Sequence, residues 1–67
     1  MNSALLRSIM VLNGDTNRDL AKFLGISTNS VCNKINEMNT EFKQGEIAMI
    51  KERYHLSPEQ VDAIFFS

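Results

Sequence analysis

The chain has 67 residues, with seven Lys or Arg against eight Asp or Glu, and so a formal net charge of −1. This length allows one domain, residues 1–67, which buries only about 60% of the surface that its unfolded chain exposes. A single cysteine and a single histidine exclude an internal disulfide and a cysteine-based zinc site. The sequence shows no Gly-rich phosphate loop, metal-ligand cluster or Cys/His pair at a recognisable spacing. We therefore expect no enzymatic activity, no metal and no cofactor.

The remaining bulk properties bear on location and partners. The sequence has no apolar run near the roughly 18 residues of a membrane span, and it begins without the basic segment of a signal peptide. Together with the lone thiol, this predicts a cytoplasmic protein with no membrane partner. The acidic balance argues against a strong nucleic-acid binder. However, residues 1–43 carry five cations and four anions, whereas residues 44–67 carry two and four.

Helical periodicity predicts five helices and no strand, hence an all-α fold. The first helix spans Ser3 to Leu12 and ends at Asn13-Gly14, since both residues tolerate the left-handed conformation. Its apolar face comprises Leu5, Leu6, Ile9, Met10 and Leu12.

Two short helices come next. Thr16 is the predicted N-cap of the second helix, with Asp19 three residues later in a capping-box position, and Gly25 ends it. Ser27 is the predicted cap of the third helix. The inner positions of the two helices are Leu20, Ala21, Leu24, Val31 and Ile35.

The last two helices follow a longer connection, in which Phe42 is predicted to fill the core. The fourth helix runs from about Gln44 to Tyr54, and the fifth begins with Ser57 as its N-cap and Pro58 at its first position. Their apolar faces comprise Ile47, Ile50, Tyr54, Val61, Ile64 and Phe65.

The stretch "DLAKFLGISTNSVCNKI" has a spacing that lets two helices cross closely. Ala21 is small where the next helix approaches, and Gly25 supplies a positive φ that costs a residue with a Cβ about 1–2 kcal/mol. Ile26 and Val31 fill the angle between the helices. This is the spacing of a helix-turn-helix unit, at about residues 16–36.

Together with "SVCNKIN", Glu41-Phe42, "GEIAMI" and "LSPEQVDAIFF", the segment "LAKFLGIS" resembles the lambda-repressor-like helix-turn-helix family of phage and bacterial regulators, of Cro/cI or XRE type. The resemblance spans nearly the whole chain and implies a compact five-helix DNA-binding domain. Two positions depart from the family pattern. Lys34 stands where a bulky apolar residue is common, and Glu37 where a Gly is common.

In a helix-turn-helix, the first turn of the second helix faces the major groove, where short amides and hydroxyls reach base edges. Asn29 is suited to adenine, Thr28 to a base edge or a thymine methyl, and Lys34 to a guanine or a phosphate. The predicted base contacts are Thr28, Asn29, Ser30, Asn33 and Lys34. Alone, the run Ser27–Ser30 is equally well interpreted as a capping cluster.

The resemblance also implies phosphate contacts at the start of the second helix, from Asn17 and Arg18, although a solvated charge is nearly as good an interpretation of Arg18. Glu37 and Glu41 would repel a phosphate backbone. The weaker phosphate candidates are Arg7, Lys22, Asn36, Asn39 and Lys43.

Phe65 fits the inner face of the fifth helix, whereas Phe66 falls off it. These two residues are predicted to form a dimer or partner surface, and partial burial of a terminal aromatic is an equal alternative.

Two functions remain open. The first is a sequence-specific transcriptional regulator, a phage-type repressor that binds a double-stranded DNA operator as a homodimer and acts by occlusion. The second is a protein-binding antirepressor, or a modulator of a partner repressor, on the same scaffold.

Overall fold

The computed structural model describes residues 1–66. It contains five helices: α1 (Ser3–Leu12), α2 (Asn17–Leu24), α3 (Thr28–Ile35), α4 (Gln44–Arg53) and α5 (Pro58–Phe65). No strand occurs within residues 1–66, so the all-α prediction is confirmed. The helices form a globule with a Cα radius of gyration of 10.7 Å.

Side-chain caps begin four of these helices, and three of the caps are at the residues that the sequence predicts; the fourth is Asn2, before α1. The hydroxyls of Thr16, Ser27 and Ser57 accept backbone N–H groups three residues later, at 3.0 to 3.2 Å. Asp19 and Gln60 complete capping boxes by accepting the backbone N–H of Thr16 and of Ser57. Each cap typically stabilises its helix by about 1 kcal/mol.

The first four helices end in a common motif. A residue with positive φ follows each helix, and the next N–H donates back to the carbonyl five residues earlier, at 2.8 to 3.1 Å. This is the Schellman arrangement, which strongly favours glycine at the left-handed position. After α1, Gly14 takes the left-handed conformation and Asn13 does not. The left-handed residues are Gly14, Gly25, Glu37 and His55.

His55 and Gly25 form a matched pair for testing this motif. His55 has a φ of 52°, and His55→Gly relieves the strain of this left-handed conformation. Glycine also gives the unfolded chain more conformational entropy, which offsets part of that gain. The net effect should be a free energy of unfolding higher by about 0.5–1 kcal/mol. Gly25 has φ of 74°, and a Cβ at this position would meet no atom within 4 Å apart from its chain neighbours. Gly25→Ala should therefore cost about 1–2 kcal/mol through backbone strain alone. Urea unfolding measures both, and equal signs for the two substitutions would contradict the interpretation.

The core confirms the predicted burial of Phe42 and of the central apolar positions. One prediction for α1 is wrong: Leu12 is 84% exposed. The buried face of α1 centres on Leu6 and Met10, and a helical repeat from Met10 leads to Asn13, so Leu12 is turned to solvent. The buried apolar residues are Leu6, Met10, Leu20, Ala21, Val31, Ile35, Phe42, Ile50, Tyr54, Leu56 and Ile64.

Helices α2 and α3 pack against each other across a three-residue connection, Gly25 to Ser27. Ala21 on α2 and Val31 on α3 are both buried, and Ile26 packs against the core between them. Because Val31 and Ile35 both point inward, the opposite face of α3 is directed away from the core.

Candidate nucleic-acid interface

The outward face of α3 carries short polar side chains. Thr28 and Asn29 are exposed and Asn33 is partly exposed. Within residues 1–66 their side chains accept or donate no hydrogen bond. Ser30 differs, because it is partly buried and its hydroxyl accepts a hydrogen bond from Ser27 at 2.8 Å. Three of the five predicted base contacts therefore present unengaged polar groups to solvent.

Lys34 lies elsewhere. Its side chain is only 9% exposed, and its ammonium group lies 2.8 Å from Glu46 Oε1. The same nitrogen lies 6.0 Å from the ring centroid of Phe42. Lys34 comes three residues after buried Val31, so the helical repeat directs it inward. Lys34 is thus buried and paired, whereas a base contact requires an exposed side chain, so the structure disagrees with this prediction.

Glu46 joins α3 to α4. Besides Lys34, its Oε1 accepts the backbone N–H of Lys43 at 2.8 Å, at the start of α4. Burial raises the pKa of Glu46, but the hydrogen bonds from Lys34 and Lys43 outweigh burial and leave that pKa below its ordinary value. The carboxylate is thus held ionised in a partly buried position.

Four other predicted phosphate contacts belong to two segments, α2 and the residue before α4. Arg18 and Lys22 on α2 and Lys43 before α4 are exposed, and none forms a side-chain ion pair within residues 1–66. Asn17 is partly exposed at the start of α2. A ligand that contacts all four residues therefore has to reach both α2 and the start of α4.

The other predicted phosphate contacts lie near the end of α3. Arg7 donates a hydrogen bond from Nη2 to Asn36 Oδ1, which ties α1 to α3, and Asn36 Nδ2 in turn lies 3.5 Å from Cys32 Sγ. Asn39 is exposed in the following loop at a φ of 59°. Exposed Glu37 and Glu41 share that loop, although Glu37 pairs with the N-terminal amine at 3.1 Å. Acidic groups thus interrupt this side of the interface.

A polar cluster that the sequence analysis missed fixes α2 against the end of α4. Asp15 accepts two hydrogen bonds from Arg53, at 2.7 and 2.9 Å, and one from the Tyr54 hydroxyl at 2.7 Å. The Arg53 guanidinium also stacks 4.7 Å from the ring centroid of Phe23. Hydrogen bonds from Arg53 and Tyr54 hold the pKa of Asp15 below its ordinary value, whereas burial and Asp15 raise the pKa of Tyr54. This cluster connects α2 and the segment just before it to the end of α4.

A groove of about 370 Å³, lined by both apolar and charged residues, lies at the end of α5. Phe65 packs edge-on against Phe42, with ring centroids 6.0 Å apart, whereas Phe66 is 63% exposed. The inner position of Phe65 and the outer position of Phe66 are confirmed. The groove is lined by Met1, Lys34, Glu37, Glu41, Phe42, Lys43, Gln44, Ile47, Phe65 and Phe66.

Other kinds of site find no support in the described part of the chain. Residues 1–66 contain no group of three or more His, Cys, Asp or Glu side chains placed to hold a metal ion. None of the five helices is long and apolar enough to cross a bilayer. Comparisons with protein-family models, with curated proteins and with solved structures find no match.

Proposed function

We propose that the chain is a sequence-specific DNA-binding transcriptional regulator, a phage-type repressor of Cro/cI-like character, in which residues 16–36 act as a helix-turn-helix. The observation that carries the proposal is the two-sided character of α3. Its inner residues Val31 and Ile35 are fully buried, while Asn29 and Asn33 on the opposite face, and Thr28 at the first position of the helix, present unengaged polar groups. Free amides and hydroxyls at the start of a projecting helix are the groups that read base edges in the major groove.

In this function, α2 positions α3 on the duplex. Arg18 and Lys22 contact phosphates on one side of the groove, and Asn17 adds a polar contact at the start of α2. A homodimer places one α3 in each of two half-sites about 34–36 Å apart. The groove beside Phe66 supplies the seam between the two copies, and the bound dimer represses by occluding the operator in the bacterial cytoplasm or nucleoid.

Fluorescence anisotropy tests the proposal, with a labelled duplex from upstream of the coding region of the protein and a scrambled duplex of equal composition. We expect preferential binding to the native duplex, weakening steeply between about 50 and 200 mM salt. Asn29→Ala should weaken binding to the native duplex about 5- to 150-fold and leave the scrambled duplex unaffected. Lys22→Ala should weaken binding to both duplexes and lower the salt slope by about one.

Matched substitutions elsewhere control for general effects. Ser8→Ala removes an exposed polar group from α1, and Lys51→Ala removes an exposed charge from α4. Both should leave the native-to-scrambled ratio unchanged. Equal binding of the native and scrambled duplexes, or no binding up to tens of micromolar, would refute the proposal for the free protein.

A second function, a protein-binding antirepressor or modulator of a partner repressor, is favoured by a specific feature. Exposed Phe66 lines the groove together with Glu37 and Glu41, and Lys34 in the same lining is neutralised by Glu46. A surface of this kind suits a protein partner better than a phosphate backbone. Failure to bind DNA, together with tight binding to a purified neighbouring repressor that Phe66→Ala abolishes, would establish this alternative.

A further inference from the structure

The exposed polar groups of α3 do not include the charged side chains that most often read G·C base pairs. Guanine is read chiefly by Arg or Lys, which donate to O6 and N7, and cytosine N4 donates to a carboxylate. Helix α3 contains one cation, Lys34, and no acid. Because Lys34 is buried against Glu46, the exposed face offers neither a charged donor nor a carboxylate acceptor.

The groups that remain match A·T base pairs. A side-chain amide both accepts from adenine N6 and donates to N7, and Asn29 and Asn33 carry the amides of this face. Thr28 adds a methyl group, which packs on the C5-methyl of thymine. No hydrogen bond within residues 1–66 holds these three side chains away from a ligand.

The cations outside α3 do not restore guanine contacts. Arg53 is paired with Asp15, and Arg7 donates to Asn36. Lys43 and Lys51 lie just before and on α4, not on the helix that enters the groove in a helix-turn-helix. Arg18 and Lys22 belong to α2, which crosses the phosphate backbone in a helix-turn-helix while the following helix enters the groove. Their charges therefore serve affinity and not base identity.

Resting on the proposed function, we infer that α3 reads A·T base pairs, with Asn29 and Asn33 each pairing with an adenine and Thr28 packing against a thymine methyl. Four residues along a helix advance about 6 Å. Base pairs rise 3.4 Å each, so the two adenines lie within about two base-pair steps of each other, the separation that α3 gives when it lies along the DNA axis. The operator half-site is thus A·T at the positions that this face contacts.

Selection from a random duplex pool with the full chain, at about 50 mM salt, tests the inference. We expect an enriched motif with A·T at the contacted positions, and replacement of each by G·C should weaken binding about 5- to 150-fold. Asn29→Ala and Asn33→Ala identify the positions, since each variant should lose discrimination at its own base pair only. Asn29→Arg should change the preference at that position to guanine.

Uracil in place of thymine tests the Thr28 contact, because it deletes only the C5-methyl. The wild type should bind the uracil duplex several-fold more weakly, while Thr28→Ser, which lacks the side-chain methyl, should not distinguish the two. Ser8→Ala provides the matched control and should respond to uracil as the wild type does.

The outcomes separate the inference from the proposed function. An enriched motif with G·C at the positions assigned to Asn29 and Asn33 would overturn the inference while leaving DNA binding established. An A·T preference that survives unchanged in both alanine variants would also overturn it, since groove shape would then be the source. A pool with no enriched motif would overturn the proposed function itself.

Discussion

Asp15→Ala is expected to lower the free energy of unfolding by about 2–3 kcal/mol, measured by urea unfolding at pH 7. The substitution removes the acceptor of three hydrogen bonds, two from Arg53 and one from the largely buried Tyr54 hydroxyl. Hydrogen bonds to a charged partner contribute about 1.5–3 kcal/mol, and Arg53 recovers part of that by hydration. A chain of this size has a total stability of only about 3–10 kcal/mol, so the loss would be large.

The pH dependence of stability checks the same contact. The pKa of Asp15 is lower in the folded protein than in the unfolded chain, mainly through the hydrogen bonds from Arg53. A group of this kind contributes its stability above the unfolded pKa of about 3.9 and loses it as the pH falls through the folded value. The advantage of the wild type over Asp15→Asn should therefore be constant from pH 5 to 7 and shrink below about pH 4. Parallel stability curves over the whole range would contradict this.

Tyr54→Phe measures how much the hydrogen bond from the Tyr54 hydroxyl contributes to the stability that Asp15 provides. It leaves Asp15 paired with Arg53 and keeps the buried ring, so its expected cost is about 1 kcal/mol. Lys51→Ala, at an exposed position of the same helix, should change stability by less than about 0.5 kcal/mol. A loss for Tyr54→Phe as large as that for Asp15→Ala would assign the energy to the hydroxyl rather than to the ion pair.

The local part of this fold is predictable because its signals are local. Thr16, Ser27 and Ser57 each satisfy a backbone N–H three residues away, and Gly25 takes the left-handed conformation without strain from a Cβ. The contact between Asp15 and Arg53 joins residues 38 apart in the sequence. No periodicity or cap encodes such a contact, since it depends on how the finished helices pack.

The outward positions of Asn29 and Asn33 follow from the helical repeat once Val31 and Ile35 are placed inside, whereas Thr28 is exposed as the first residue of α3. The same repeat places Lys34, three residues after Val31, on the inner side, so the information was present in the sequence. Lysine side chains are usually exposed, and this general tendency led to the prediction that Lys34 contacts DNA. What makes the inner position tolerable is Glu46, twelve residues away on another helix, and only the assembled fold brings that carboxylate to the lysine.

Lys34→Ala is expected to cost about 2–4 kcal/mol in the free energy of unfolding, a second large effect. The substitution leaves Glu46, whose side chain is only 14% exposed, without its cation, and truncates a side chain packed beside Phe42. Removing one partner of a buried pair typically costs about 3–5 kcal/mol, and the residual exposure of Glu46 reduces that value.

The double variant Lys34→Met/Glu46→Gln separates the charge from the packing. Methionine fills the space of the lysine stem, and the Gln carbonyl oxygen still accepts the N–H of Lys43 at the start of α4. Replacing both charges of a buried pair is often neutral, so this variant should unfold within about 1 kcal/mol of the wild type. Lys34→Met alone should be less stable than the double variant, which gives a measurable coupling energy.

If Lys34→Ala instead costs no more than Lys51→Ala, the lysine is not held by Glu46. In that case its ammonium group would be free to reach the groove, and a guanine contact would return to the operator half-site. If the double variant is stable and keeps wild-type DNA affinity, Lys34 belongs to the core and contributes nothing to base recognition.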